Sequence, residues 1–215
     1  MSKKLFSSIL ACTFLAQTAP MAIVVLNTAG WNGGRTPSGW EIKVNHGKPA
    51  VSPCQEAGPP CLHLKSVSAS FSLEKAVDVD PAQMPYLTWS WKVAQLPGGG
   101  DFRKSSRDDQ AAQLLVAFND RRVISYIWDS DAPKGVMESA SSIPLLRIVA
   151  VVCESGPGQA NQWVSESRNL AADYARAYGR TAPRVRGLRI QINSQHTGTV
   201  AESYFGDVAF RSTPQ

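Results

Sequence analysis

From residue 40 onward the chain alternates. Ten segments, 40–44, 62–67, 70–77, 86–93, 111–118, 123–128, 145–152, 163–167, 185–193 and 201–210, place apolar and polar side chains turn about. Successive side chains of an extended chain leave opposite faces, so a period of two marks a strand with one face in a core. In 185–193, Leu188, Ile190 and Ile192 face one way while Arg189, Gln191 and Asn193 face the other. Gly, Pro, Asp or Ser clusters bound most of these segments. Helical period is convincing only over 170–178, where Leu170, Tyr174 and Tyr178 form a stripe. Asn169 is placed to cap that helix, and Gly179 with Pro183 to end it. Many short strands and one short helix predict an all-β antiparallel sandwich of the jelly-roll type.

With 215 residues, 43% hydrophobic and 18% charged, the chain suits one domain with its own core plus a leader. Lys3 and Lys4, the apolar run 5–16 and the small residues Thr18, Ala19 and Ala22 read as an export signal over 1–22. Residues 23–215 are then a single sandwich domain, periplasmic or extracellular. Pro20 and the polar Gln17 and Thr18 interrupt the apolar run, so a membrane span after cleavage is not expected. Losing Lys3 and Lys4 lowers the formal charge from +5 to +3. The one basic concentration, Arg176, Arg180, Arg184, Arg186 and Arg189, lacks interleaved aromatics, so a nucleic-acid partner is not expected. Cys54 and Cys61 bracket Gly58, Pro59 and Pro60, a spacing that suits a disulfide across a hairpin neck. Cys153, in an apolar run, reads as a buried free thiol.

Two long loops, 96–110 and 129–144, are candidates for function because long structureless connections are uncommon in compact domains. Trp89 and Trp91 share a face with Leu87 and Val93 and read as core. Trp128 ends a strand directly before Asp129, and reads either as core or as a rim platform for a sugar ring. Asp108 and Asp109 open a strand, where a turn role competes with orienting a ligand hydroxyl. His196 lies in a polar loop, 194–199, between two strands. Glu202 and Asp207 follow, and their odd separation puts them on opposite faces of a regular strand. That argues against a glycosidase pair, whose carboxylates lie about 5–9 Å apart. No GxSxG elbow, P-loop, HExxH or dinucleotide fingerprint is present.

The chain resembles a bacterial family of exported proteins, the domain of unknown function 3047. The likeness rests on Gly39-Trp40, Pro85-Tyr-Leu-Thr-Trp-Ser-Trp, Asp108-Asp-Gln-Ala-Ala, Tyr126-Ile-Trp, Glu154-Ser-Gly followed by Trp163, Ala172-Asp-Tyr, and Asn193 to Asp207. More loosely, Asn27, Gly39-Trp40 and the closing Phe205-Gly-Asp-Val-Ala-Phe are similar to the ends of galactose-binding-like jelly-roll modules. That likeness implies a structural Ca²⁺ at Asp207, although the usual Asp-Asn pair is Asp207-Val208 here. No other cofactor is implied.

These readings lead to an exported binding protein for a carbohydrate or cell-envelope polymer, without catalysis. Its ligand residues would be Trp128, Asp129, Asp109, Gln191, Asn193, His196 and Glu202. Two alternatives stand beside it: a polysaccharide hydrolase or lyase using Asp109, His196 and Glu202, and a structural envelope protein that binds a protein partner.

Overall fold

The computed structural model describes residues 21–31, 34–54, 59–140 and 147–215. Most of the expected export signal, Gly58 of the expected turn and the start of the strand expected at 145 lie outside the described residues. In chain order the strands are β1 (Ala22–Leu26), β2 (Glu41–His46), β3 (Ala50–Pro53), β4 (Leu62–Val67), β5 (Ser70–Val79), β6 (Tyr86–Gln95), β7 (Ala112–Phe118), β8 (Arg122–Asp129), β9 (Met137–Ser139), β10 (Arg147–Ser155) and β11 (Val164–Asn169). The helix α1 (Leu170–Tyr178) follows, then β12 (Val185–Asn193) and β13 (Val200–Arg211). They form two facing sheets. A six-stranded back sheet runs β11-β6-β13-β4-β3 with β1 also on β13, and a seven-stranded front sheet runs β2-β5-β12-β7-β8-β10-β9.

Alternation becomes burial, as expected. Phe71 and Leu73 of β5, Leu188, Ile190 and Ile192 of β12, and Leu114 and Val116 of β7 face inward from the front sheet. Trp89, Trp91, Phe205 and Phe210 face them from the back sheet. The aromatic rings interlock edge to face: Trp91 lies 6.1 Å from Trp128 and 5.9 Å from Phe205, centroid to centroid. Such pairs add to the burial of their large apolar area. Asn169 caps α1 by accepting the Ala172 N–H at 2.9 Å, and Gly179 ends it at φ 67°, a conformation that favours glycine. Asp173 of α1 accepts from the Tyr126 hydroxyl at 2.9 Å and from Arg168 through both its oxygens, tying the helix to both sheets.

Three features differ from a plain alternating antiparallel sandwich. First, β1, β3 and β9 carry no clear period-two signal. β1 begins at Ala22, the last residue of the segment read as an export signal, and pairs with the end of β13. Its apolar residues simply look like more leader. Second, β8 and β10 pair in parallel, all other pairs being antiparallel. Third, the register of β13 against β6 slips between Phe205 and Val208. Ala201, Phe205, Val208 and Phe210 therefore all enter the core. Glu202 and Asp207 both end up on the outer face, because a bulge resets the parity that a regular strand would keep. They remain five residues apart, roughly 15 Å along the strand, beyond the reach of a glycosidase pair.

Candidate functional site

The outward side chains of the front sheet line a groove. Parity dictates the set: Ser70, Ser72 and Glu74 on β5, Arg189, Gln191 and Asn193 on β12, Gln113 and Leu115 on β7, Ser125 and Ile127 on β8, and Ile148 and Ala150 on β10. Two hollows of about 320 and 300 Å³ meet there, sharing Leu115, Ile148 and Arg189. One is bounded by Phe102, Asp108, Gln110 and His196; the other runs on past Glu74 to Arg186.

The first wall is the loop between β6 and β7. Phe102 packs on Ile127, Ala132, Ala150 and Val152, a small apolar cluster on the outer side of the sheet. Asp129 anchors this wall from below: its carboxylate accepts the N–H groups of Phe102 at 3.0 Å, Asp131 at 3.0 Å and Ala132 at 2.8 Å. Burial pushes the Asp129 carboxyl upward, with those three amides opposing. Gly100 lies so close to the Asp109 carbonyl that any side chain there would collide.

The end of the groove is a polar network centred on Asn193. Its Oδ1 accepts the Gln110 N–H at 2.9 Å and the Gln113 amide at 2.7 Å, and its own amide donates to the Asp108 carbonyl. Asp109 is 0% exposed and holds the loop between β12 and β13 by accepting the N–H groups of His196 at 3.3 Å and Thr197 at 2.7 Å. The His196 Nδ1 lies 3.1 Å from the Asp108 carbonyl and 3.3 Å from the Asp109 carboxylate. Both are acceptors only, so Nδ1 carries the hydrogen, on a side chain that is 37% exposed. Burial raises the Asp108 carboxyl, the Gln110 amide and the His196 charge pulling it back.

The expected site residues thus separate. Asp109, Gln191, Asn193 and His196 gather at the groove, although Asp109 and Asn193 spend their polar atoms on the protein itself. Trp128 is not a platform: it is 0% exposed, its indole donates to the Gly156 carbonyl at 3.1 Å, and its ring belongs to the inter-sheet core. Its inward parity on β8, shared with Ile124 and Tyr126, decides this. Asp129 is a loop anchor. Glu202 lies on the outer face of the back sheet, where its carboxylate meets His63 at 2.8 Å and Lys65 at 3.1 Å. The grouping of Asp109, His196 and Glu202 is therefore not formed, since the groove is on the front sheet and Glu202 is engaged on the outer face of the back sheet. Asp207 accepts from the Thr28 N–H and hydroxyl, both at 2.9 Å, and no metal-binding group of three or more His, Cys, Asp or Glu exists among the described residues. Cys54 and Cys61 are bridged, and Cys153 is a buried free thiol.

Sequence reading missed Ser125, Gln113 and Arg186. Strand parity marks the first two as outward, but parity alone does not say which outer face is concave. Ser125 is the telling one. It is 3% exposed, on the groove floor, and its hydroxyl has no hydrogen-bond partner among the described residues.

Fold and groove define a jelly-roll β-sandwich with an open, polar-walled channel on one sheet. Residues 31–209 match the family described as Protein of unknown function (DUF3047), and the chain belongs to that family. No curated protein matches it in sequence. Among solved structures it is similar to the xyloglucanase domain of NopAA, a type three effector from Sinorhizobium fredii, in complex with cellobiose. That match has a TM-score of 0.49 and 9% identity, covering 91% of this chain and 99% of that one. It is also similar to endoglucanase cel12A from Rhodothermus marinus, with a TM-score of 0.47, 8% identity and coverage of 92% and 100%. A third is the family 11 carbohydrate-binding module of the Clostridium thermocellum cellulase Lic26A-Cel5E, with a TM-score of 0.45, 6% identity and coverage of 90% and 95%. At these scores the likeness concerns general architecture.

Proposed function

We propose that the protein binds a linear carbohydrate or envelope polymer along the front-sheet groove, without catalysing its cleavage. The observation that carries this reading is the continuous channel with polar walls and apolar floor patches, holding the Ser125 hydroxyl, which is unpaired among the described residues. Sugars present hydroxyls at their edges and C–H groups on their faces. Gln113, Gln191, His196 and Ser125 suit the first, and Leu115, Ile127 and Ile148 suit the second. A buried polar atom without a partner is costly, so a ligand hydroxyl reaching Ser125 gains what the empty groove forgoes. Along β12, from Arg186 to Asn193, the groove extends about 20 Å, long enough for several sugar units. The non-catalytic reading is supported by the spent oxygens of Asp109 and by the position of Glu202 on the other sheet. Export agrees with the Cys54–Cys61 bridge, since disulfides persist in oxidising compartments.

Affinity electrophoresis against a panel of neutral and acidic polysaccharides tests the reading. Retardation of the protein that weakens in Gln191→Ala and Ser125→Ala is expected. Failure of every polysaccharide to retard it would reject the proposal. Release of shortened product, abolished in His196→Ala with the fold intact, would replace it with an enzyme.

A further inference from the structure

The arginine-rich stretch near the C-terminus divides by structure, and one of its exposed members without a partner among the described residues, Arg186, lies at the groove. Arg184 pairs with Asp78 at 2.6 Å, and Arg189 with Glu74 at 2.7 Å. Lys75, at the same end of the groove, commits its ammonium to the carbonyls of Val25 and Ser38. Arg186 lines the groove, is exposed, and has no hydrogen bond or ion pair among the described residues. It reaches that face through a bulge: β12 slips register between Val185 and Gly187 against both its neighbours. The slip frees Arg186 from strict alternation while Val185 and Leu188 both stay in the core. The groove consequently carries charge at both limits, an uncompensated guanidinium at one and the half-buried Asp108 beside His196 at the other.

We infer that the ligand is an acidic polysaccharide, bound with a carboxylate of a uronate-type unit on Arg186 and neutral hydroxyl edges toward Gln191 and His196. This rests on the binding role proposed above and names its substrate class. A guanidinium matches a carboxylate with two parallel hydrogen bonds, which a neutral glycan cannot offer. Arg189, already neutralised by Glu74, contributes donors without excess charge, so discrimination between acidic and neutral chains falls to Arg186.

The test is isothermal titration with polygalacturonate, alginate and hyaluronan oligomers, each beside its carboxyl-reduced neutral counterpart. Three proteins are compared: wild type, Arg186→Gln and Arg184→Gln. The last removes the same charge outside the groove and so controls for general attraction of a basic protein to polyanions. At least one acidic oligomer is expected to bind about tenfold more tightly than its reduced form. That preference should vanish in Arg186→Gln and persist in Arg184→Gln. Equal binding of acidic and reduced oligomers would overturn the inference while leaving the binding role standing. An equal effect of the two substitutions would also overturn it, leaving only non-specific charge. Binding of neither form removes this inference, and the binding role falls with it if the wider panel also fails.

Discussion

The Asp109 carboxylate takes the backbone N–H of Thr197 at 2.7 Å, joining the start of β7 to a loop 88 residues further along the chain. With the His196 N–H on its other oxygen, one buried acid shapes the end of the groove. Asp109→Ala leaves two amides and the His196 ring without this partner and should cost about 2–3 kcal/mol in urea unfolding. Asp109→Asn, which keeps one acceptor oxygen, should cost less. An Asp109→Ala protein as stable as wild type would show the contact to be incidental.

Ser125→Ala should move stability the other way. Removing a buried hydroxyl that has no partner among the described residues is expected to be neutral or stabilising by up to about 1 kcal/mol. Glycan affinity should fall in the same variant. A substitution that stabilises the empty protein and weakens the complex is the mark of a group held ready for a ligand. Loss of stability with unchanged affinity would contradict it.

Trp128 behaves as packing. Trp128→Ala should cost about 3–5 kcal/mol, because the ring fills the space against Trp91. The milder Trp128→Phe should bind glycan as wild type does when affinity is referred to folded protein. A selective loss of affinity in Trp128→Phe would restore it to the site.

Glu166 gives the sandwich a pH dependence. Burial first, and the nearby Glu154 charge next, push its carboxyl up to about 7. The Trp91 indole lies beside it short of hydrogen-bond geometry, and both Glu166 Oε1 and Trp91 Nε1 lack partners among the described residues. Because the folded value is raised, the folded state holds the proton more tightly than the unfolded chain does between the ordinary 4.5 and about 7. Stability therefore falls as pH rises through that window, by at most about 3 kcal/mol. Glu166→Gln should raise the melting temperature at pH 8 and leave it nearly unchanged at pH 4. Parallel pH profiles for the two proteins would refute the assignment.

The Cys54–Cys61 bridge closes a short loop, and the chain-entropy relation gives about 2–2.5 kcal/mol for that length. The double substitution to Ser should lower the melting temperature by about 4–10 °C, read by circular dichroism. No change on reduction would mean that the hairpin neck holds without it.

Much of this architecture was legible in the residues. β4 and β12 have the expected bounds, α1 carries the expected cap and stop, and Trp89 and Trp91 are core because period-two parity is a local property. What parity could not reach is where strands pair. β1 was not legible as a strand, since five apolar residues look the same beside a signal cleavage point and against β13. The bulges at Phe205 and Gly187 are decided by partner strands, so the outward placement of Asp207 and Arg186 was not legible. The groove itself depends on which sheet curves around its outer face. His196 and Asp109 were therefore visible as candidates, whereas Ser125 was one polar residue in an apolar strand.

β13, which follows all the other described strands in chain order, is the middle of the back sheet. β13 pairs with β6 on one side and with β4 and β1 on the other. A growing chain that lacks it has β1 without any partner and β4 joined only to β3. The back sheet therefore cannot close before β13 is in place, although it follows every other described strand in chain order. Deleting β13 would leave β6 joined only to β11, β4 joined only to β3 and β1 with no strand to pair with.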